Sequence, residues 1–236
     1  MSTIYFIRHA QASFGKENYD QLSEQGGFQA GRLADYLMAR EIVFDAVYLG
    51  PQARHRQTAE PYLDRCRQEG LDHFPITELS DLAEYDFSGV LRTLVPILAA
   101  EDTSFNVDAA RMFIDARAFQ RIFEAAALRW VRGDYPPADL MTWTDFTTRV
   151  NRGIDSILAQ DGQGRQVAVF TSGGPLAVAV QRALALSDEM TMRLNWQVIN
   201  CSMARFKSNR DAIMLSSFNE HDWLIYPETK NLVTYR

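Results

Sequence analysis

The sequence predicts an α/β fold, a three-layer sandwich in which a largely parallel sheet is flanked by helices, with a helical lid insertion. Three observations point there. Short apolar runs alternate with amphipathic helical segments along much of the chain. The stretch VAVFTSGGPLAVAV (Val167 to Val180) joins one apolar run to another through a glycine pair and a proline, the pattern of strand, tight turn and helix. The chain has 236 residues, 47% hydrophobic and 23% charged, enough to bury one large core.

The elements follow in order. Thr3 to Ile7 form an apolar run that fits a strand, and Ala30, Leu33, Ala34, Leu37 and Met38 then recur at helical spacing, with Ser23 as N-cap. Ala46 to Leu49 give a second strand, and Pro51 opens a helical segment reaching about Gly70. Residues 91–141 lack strand signals and carry Met112, Phe113, Ala116, Phe119 and Phe123 at helical spacing, which reads as the lid insertion within a single domain spanning 1–236. The polar RGDYPPAD (Arg132 to Asp139) reads as a surface loop. Phe146, Val150, Ile154, Ile157 and Leu158 form a further amphipathic helix leading into the Val167 strand, and CSMARFKSNRDAIMLSSF reads as a hairpin turned at Ser208 to Asp211.

Composition excludes several functions. A net charge of −6 offers no basic footprint for nucleic acid. Cys66 and Cys201 have no paired metal-type spacing, so neither a disulfide scaffold nor a metal site is expected and a reducing cytoplasm is the expected location. The opening MSTIYFIRHA is too short an apolar run for a signal peptide or a membrane anchor, so no membrane partner is expected.

In open parallel sheets, ligands bind beyond the carboxyl ends of the strands. The first strand ends in Arg8-His9, charges costly to bury unless an anion compensates them; the alternative is a strand that simply surfaces there. The second leads into YLGPQARHRQTAEP, where only one or two of Arg54, His55 and Arg56 can face inward. In ITELSDLAEYDFSG, Glu84 stands among Leu82, Tyr85 and Phe87, a setting that raises a carboxyl pKa and suits a proton donor. The third strand ends in Thr171-Ser172-Gly173-Gly174, where glycines and a helix N-terminus favour an anion.

Together these segments resemble the histidine phosphatase superfamily, with its phosphoglycerate mutase-like fold. FIRHAQ is similar to the family's Arg-His-Gly signature, YLGPQARHRQTAE to its second motif, and LAEYDFSG to its acid-bearing motif. The resemblance implies His9 as nucleophile and Glu84 as proton donor, with Arg8, Arg54, Ser172 and Gly173 binding phosphate. It also implies no metal, no cofactor, and as partner a small phosphorylated molecule or phosphate ion.

Two departures stand out. The family's second histidine is replaced by Ser172, which removes a cation, and the signature glycine by Ala10, which requires a negative φ there. His55 and His221 are both open as replacement cations. Three functions compete: a phosphomonoester phosphatase, a phospholigand-binding protein with little turnover, and a serine hydrolase. The last would use Ser172 in half an elbow motif with Asp211 and His221, although Phe170 stands where that motif's first glycine belongs.

Overall fold

A computed structural model describes residues 1–13, 20–111, 114–136, 139–160, 164–209, 212–225 and 232–235. The strands are β1 (Ser2–Arg8), β2 (Ala46–Leu49), β3 (Ile76–Glu78), β4 (Gln166–Thr171), β5 (Met203–Ser208) and β6 (Ile213–Glu220), in one sheet of order β3-β2-β4-β1-β5-β6. β3, β2, β4 and β1 run parallel, whereas β5 and β6 are antiparallel additions at the edge. The helices are α1 (Glu24–Ala39), α2 (Ala53–Glu69), α3 (Phe87–Glu101), α4 (Thr103–Arg111), α5 (Ala116–Arg132), α6 (Trp143–Ala159), α7 (Gly173–Leu184) and α8 (Asp188–Asn195).

Successive strand side chains point to opposite faces, and both faces of this sheet are covered. Ile4 and Phe6 of β1 join a core with residues of α3, α5, α6 and α7, while Tyr5 and Ile7 join another with residues of α1 and α2. This produces the three layers and explains why β1, β2 and β4 read as almost continuous apolar runs. None of the described helices is long and apolar enough to cross a membrane.

The helix ends follow local chemistry. The Ser23 side chain accepts a hydrogen bond from Gly26 N, and Gly70 closes α2 in the left-handed region with φ 69°. α2 starts at Ala53, slightly beyond Pro51, with Gln52 at the N-cap. The helical region expected from Leu91 begins earlier, at Phe87, because the Asp86 side chain caps it through Gly89 N. Arg132 belongs to α5, which Gly133 closes, so the polar loop starts one residue later than the sequence suggests. Met112 and Phe113, and Arg210 and Asp211 of the expected turn, lie outside the described residues.

β3 and α8 escaped the sequence reading. β3 is three residues long and largely exposed, so it carries no apolar signature. α8 is announced only by its N-cap Ser187 and two acids in its first turn.

Candidate active site

The carboxyl ends of β1, β4 and β2 lie side by side, with Arg8 paired to Thr171 and Leu49 to Phe170. Backbone hydrogen bonds carry this register past the strands, His9 N donating to Thr171 O (2.8 Å) and Gly50 N to Phe170 O (2.9 Å). Three loops distant in sequence therefore converge on one edge. Arg8, His9, Arg54, Glu84 and Gly173 line a single cavity of about 770 Å³ there.

His9 is 6% exposed and tightly held. Its carbonyl accepts from Cys201 N (3.1 Å) and Asn200 Nδ2 (3.3 Å), and Ala10 N donates to Thr58 Oγ1 (3.0 Å). Ala10 is buried and outside the left-handed region, so its β-carbon is accommodated. The ring Nδ1 donates to Ala10 O (2.8 Å), which leaves Nε2 with its lone pair. Burial, then the charges of Arg54 and Arg8, push the His9 pKa well below its ordinary value, so the ring is neutral at neutral pH.

α2 turns Arg54 and His55 inward and leaves Arg56 exposed. Arg54 Nη1 donates to Asp20 Oδ1 (2.8 Å), and the other oxygen of Asp20 accepts from Ala53 N (2.9 Å), which fixes the guanidinium at the cavity. Arg8 is anchored by a hydrogen bond from Nη1 to Val198 O.

Glu84 sits on a loop fastened at both ends. Thr171 Oγ1 donates to Leu82 O (2.8 Å) before it, and after it Tyr85 packs on Trp130 and Phe146 with ring centroids at 4.8 and 5.5 Å. Its carboxyl accepts from Gly174 N and Tyr85 N, both at 3.1 Å. A β-carbon at position 174 would overlap Glu84 Oε1, so the glycine pair opening α7 is shaped around this carboxyl. Burial raises the Glu84 pKa, an effect only partly offset by the Gly174 hydrogen bond, Arg54, the Tyr85 hydrogen bond and Arg8.

Ser172 and the two candidate histidines lie away from the cavity surface. Ser172 is fully buried and is not among the cavity-lining residues; its hydroxyl shares a hydrogen bond of 2.8 Å with His55 Nε2 and accepts from Arg54 Nη2 at 3.4 Å. The hydroxyl is thus enclosed between His55 and Arg54. Neither His55 nor His221 lines the cavity. Burial, then Arg54, pushes the His55 pKa down to about 3, so its ring is neutral. The Nδ1 of His221 is bonded to Asn219 O (2.6 Å) and the residue does not line the cavity. The hydrolase triad is likewise not assembled: the histidine on Ser172 is His55, not His221, and Asp211 lies outside the described residues.

Reading the sequence also missed Thr58, Asp20 and the cavity wall from α8. Thr58 was detectable, being four residues beyond Arg54 and on the same helical face. Asp20, Asn195 and Trp196 reach the site only through the tertiary fold and have no local signature.

The buried neutral histidines give a stability prediction. Unfolded histidine takes up a proton as pH falls through about 6.5, whereas folded His55 resists until about 3. Stability is therefore complete above 6.5 and declines below it, by up to about 1.4 kcal/mol per pH unit for this residue. In thermal melts between pH 7.5 and 4.5, His55→Gln should lose Tm less steeply toward acid than the wild type; parallel slopes would contradict a depressed His55.

Comparison with known proteins places the chain in a family. The family model described as histidine phosphatase superfamily (branch 1) matches residues 4–104 and 111–221. A search of curated proteins found no match. Among solved structures, a phosphoserine phosphatase mutant from Entamoeba histolytica in complex with phosphoserine is similar at TM-score 0.64 and 15% identity, over 95% of this chain and 100% of that one. A phosphoglycerate mutase from Bacillus anthracis gives TM-score 0.64 and 19% identity, over 94% of each chain. The α-ribazole phosphatase from Shigella flexneri gives 0.62 and 18%, over 93% of this chain and 96% of that one. At such identities these structures speak to the fold, which is the phosphoglycerate mutase-like one. The family match over most of the chain carries the assignment: this protein belongs to the histidine phosphatase superfamily.

Proposed function

We propose that the protein is a phosphatase that hydrolyses a small phosphomonoester through a phosphohistidine on His9. One observation carries the reading: a histidine with Nδ1 tied to Ala10 O shares a cavity with two arginines and a buried carboxyl whose pKa is raised. His9 Nε2 attacks phosphorus in line while the bond to the ester oxygen breaks, and Glu84 gives its proton to the departing oxygen. Water then attacks phosphorus, Glu84 takes its proton, and the P–N bond breaks to release phosphate. Arg8 and Arg54 neutralise and orient the phosphoryl oxygens, aided by the N-terminus of α7 at Gly173.

Ser172 acts through Arg54, as a positioning residue held by His55. The chemistry asks for no metal or organic cofactor. The helices across 91–141 serve as the substrate-selecting lid of a single domain, working on a soluble phosphorylated metabolite in the cytoplasm. The phosphoserine phosphatase and α-ribazole phosphatase among the similar structures support hydrolysis of a phosphomonoester.

The second reading, a phospholigand-binding protein with little turnover, draws on a specific observation: neither Ser172 nor His55 brings a charge into the cavity. Hydrolysis of an aryl phosphate by wild type and His9→Ala, measured between about pH 5 and 8, separates the two. Turnover that the mutant loses supports the phosphatase; phosphate binding without turnover above the mutant supports the binder.

A further inference from the structure

The cavity is far larger than a phosphoryl group, with a volume of about 770 Å³ in the range that accommodates drug-sized ligands. Beyond the phosphate end its walls are aromatic. Phe119 and Phe123 stand one turn apart on α5, their rings parallel within 3° at 6.1 Å. Phe123 meets Phe87 at 4.9 Å and Trp196 at 5.7 Å, so α3, α5 and the end of α8 contribute to one continuous aromatic surface. All four rings line the cavity. Among the described lining residues the cations are Arg8 and Arg54, while Glu124 and Asp86 add two carboxylates besides Glu84, with Asp86 facing exposed Arg92 at 3.9 Å. Glu124 accepts a hydrogen bond from Gln120, also in the wall.

From this wall we infer the substrate class: a phosphomonoester of a ring-bearing aromatic alcohol with no second anionic group. The inference rests on the phosphatase reading and deepens it. A flat ring gains offset or edge contacts with Phe119, Phe123 and Trp196. A leaving group bearing its own carboxylate meets Asp86 and Glu124 with Arg8 and Arg54 already committed to the phosphoryl oxygens, and like charges at a recognition surface oppose binding.

Three alkyl esters with similar leaving oxygens isolate this effect from leaving-group chemistry: naphthylmethyl phosphate, glycerol 3-phosphate and 3-phosphoglycerate. The expected kcat/KM for naphthylmethyl phosphate exceeds that for glycerol phosphate by at least about tenfold, the factor that about one good ring contact supplies, and 3-phosphoglycerate ranks last. Phe119→Ala should shrink the first ratio by raising KM, and Glu124→Gln should improve 3-phosphoglycerate selectively. Equal rates, or 3-phosphoglycerate ranking first, would overturn the substrate class while leaving the phosphatase intact. If no ester is hydrolysed, the phosphatase reading fails, and calorimetric binding of the same compounds decides the inference. Naphthylmethyl phosphate binding tighter than 3-phosphoglycerate and weakened in Phe119→Ala would sustain it, and any other order would overturn it.

Discussion

Glu84→Gln is expected to lower kcat on alkyl phosphates by about 10²- to 10⁴-fold, while costing far less on a nitrophenyl phosphate. The reason is the position of the proton. An alkoxide is a poor leaving group and needs the Glu84 proton, whereas nitrophenolate departs without one. Burial keeps the Glu84 carboxyl above its ordinary pKa and His9 well below its own, which widens the pH range over which a neutral histidine coexists with a protonated acid. Activity on alkyl esters should therefore fall as pH rises through the Glu84 pKa, and the Gln variant should lack that limb. Gly174→Ala reaches the same place by another route, because its β-carbon would occupy the position of Glu84 Oε1. It should reproduce the leaving-group dependence with phosphate binding retained. Equal losses on both substrate types would remove Glu84 from the acid role.

Ser172→His is expected to reduce activity by itself. Ser172 is fully buried, and its hydroxyl lies 2.8 Å from His55 Nε2 and 3.4 Å from Arg54. An imidazole at 172 needs room that the His55 ring already fills, and overpacking a closed site costs about 1–3 kcal/mol. The ring would also displace Arg54 from its place in the cavity wall. Removing the obstruction in the double variant His55→Ala, Ser172→His should recover both Tm and kcat/KM relative to the single variant, a coupling that a double-mutant cycle measures directly. A single Ser172→His variant that gains activity with unchanged stability would show that His55 does not occupy that space.

The sequence made the layers legible because β1, β2 and β4 are buried on both faces and so read as apolar runs. The candidate residues at strand ends were equally legible: an Arg-His pair after an apolar run, and glycines opening a helix, have local signatures. What the glycine pair accommodates was not, since Gly174 meets Glu84 from ninety residues away, where the Thr171 bond to Leu82 O also joins the two segments. His55 illustrates the same limit. From sequence it was one of two candidate cations, but a fully enclosed ring against Ser172 and Arg54 stays neutral, and the protonation state of a buried group depends on neighbours that sequence order does not reveal.

The phosphohistidine is the central claim, and trapping it tests that claim most directly. Wild-type protein mixed with a labelled aryl phosphate and rapidly quenched should carry label that survives alkali and is lost in acid, mapped to His9 and missing from His9→Ala. Label at another residue, or turnover with none detectable on the millisecond scale, would contradict the mechanism.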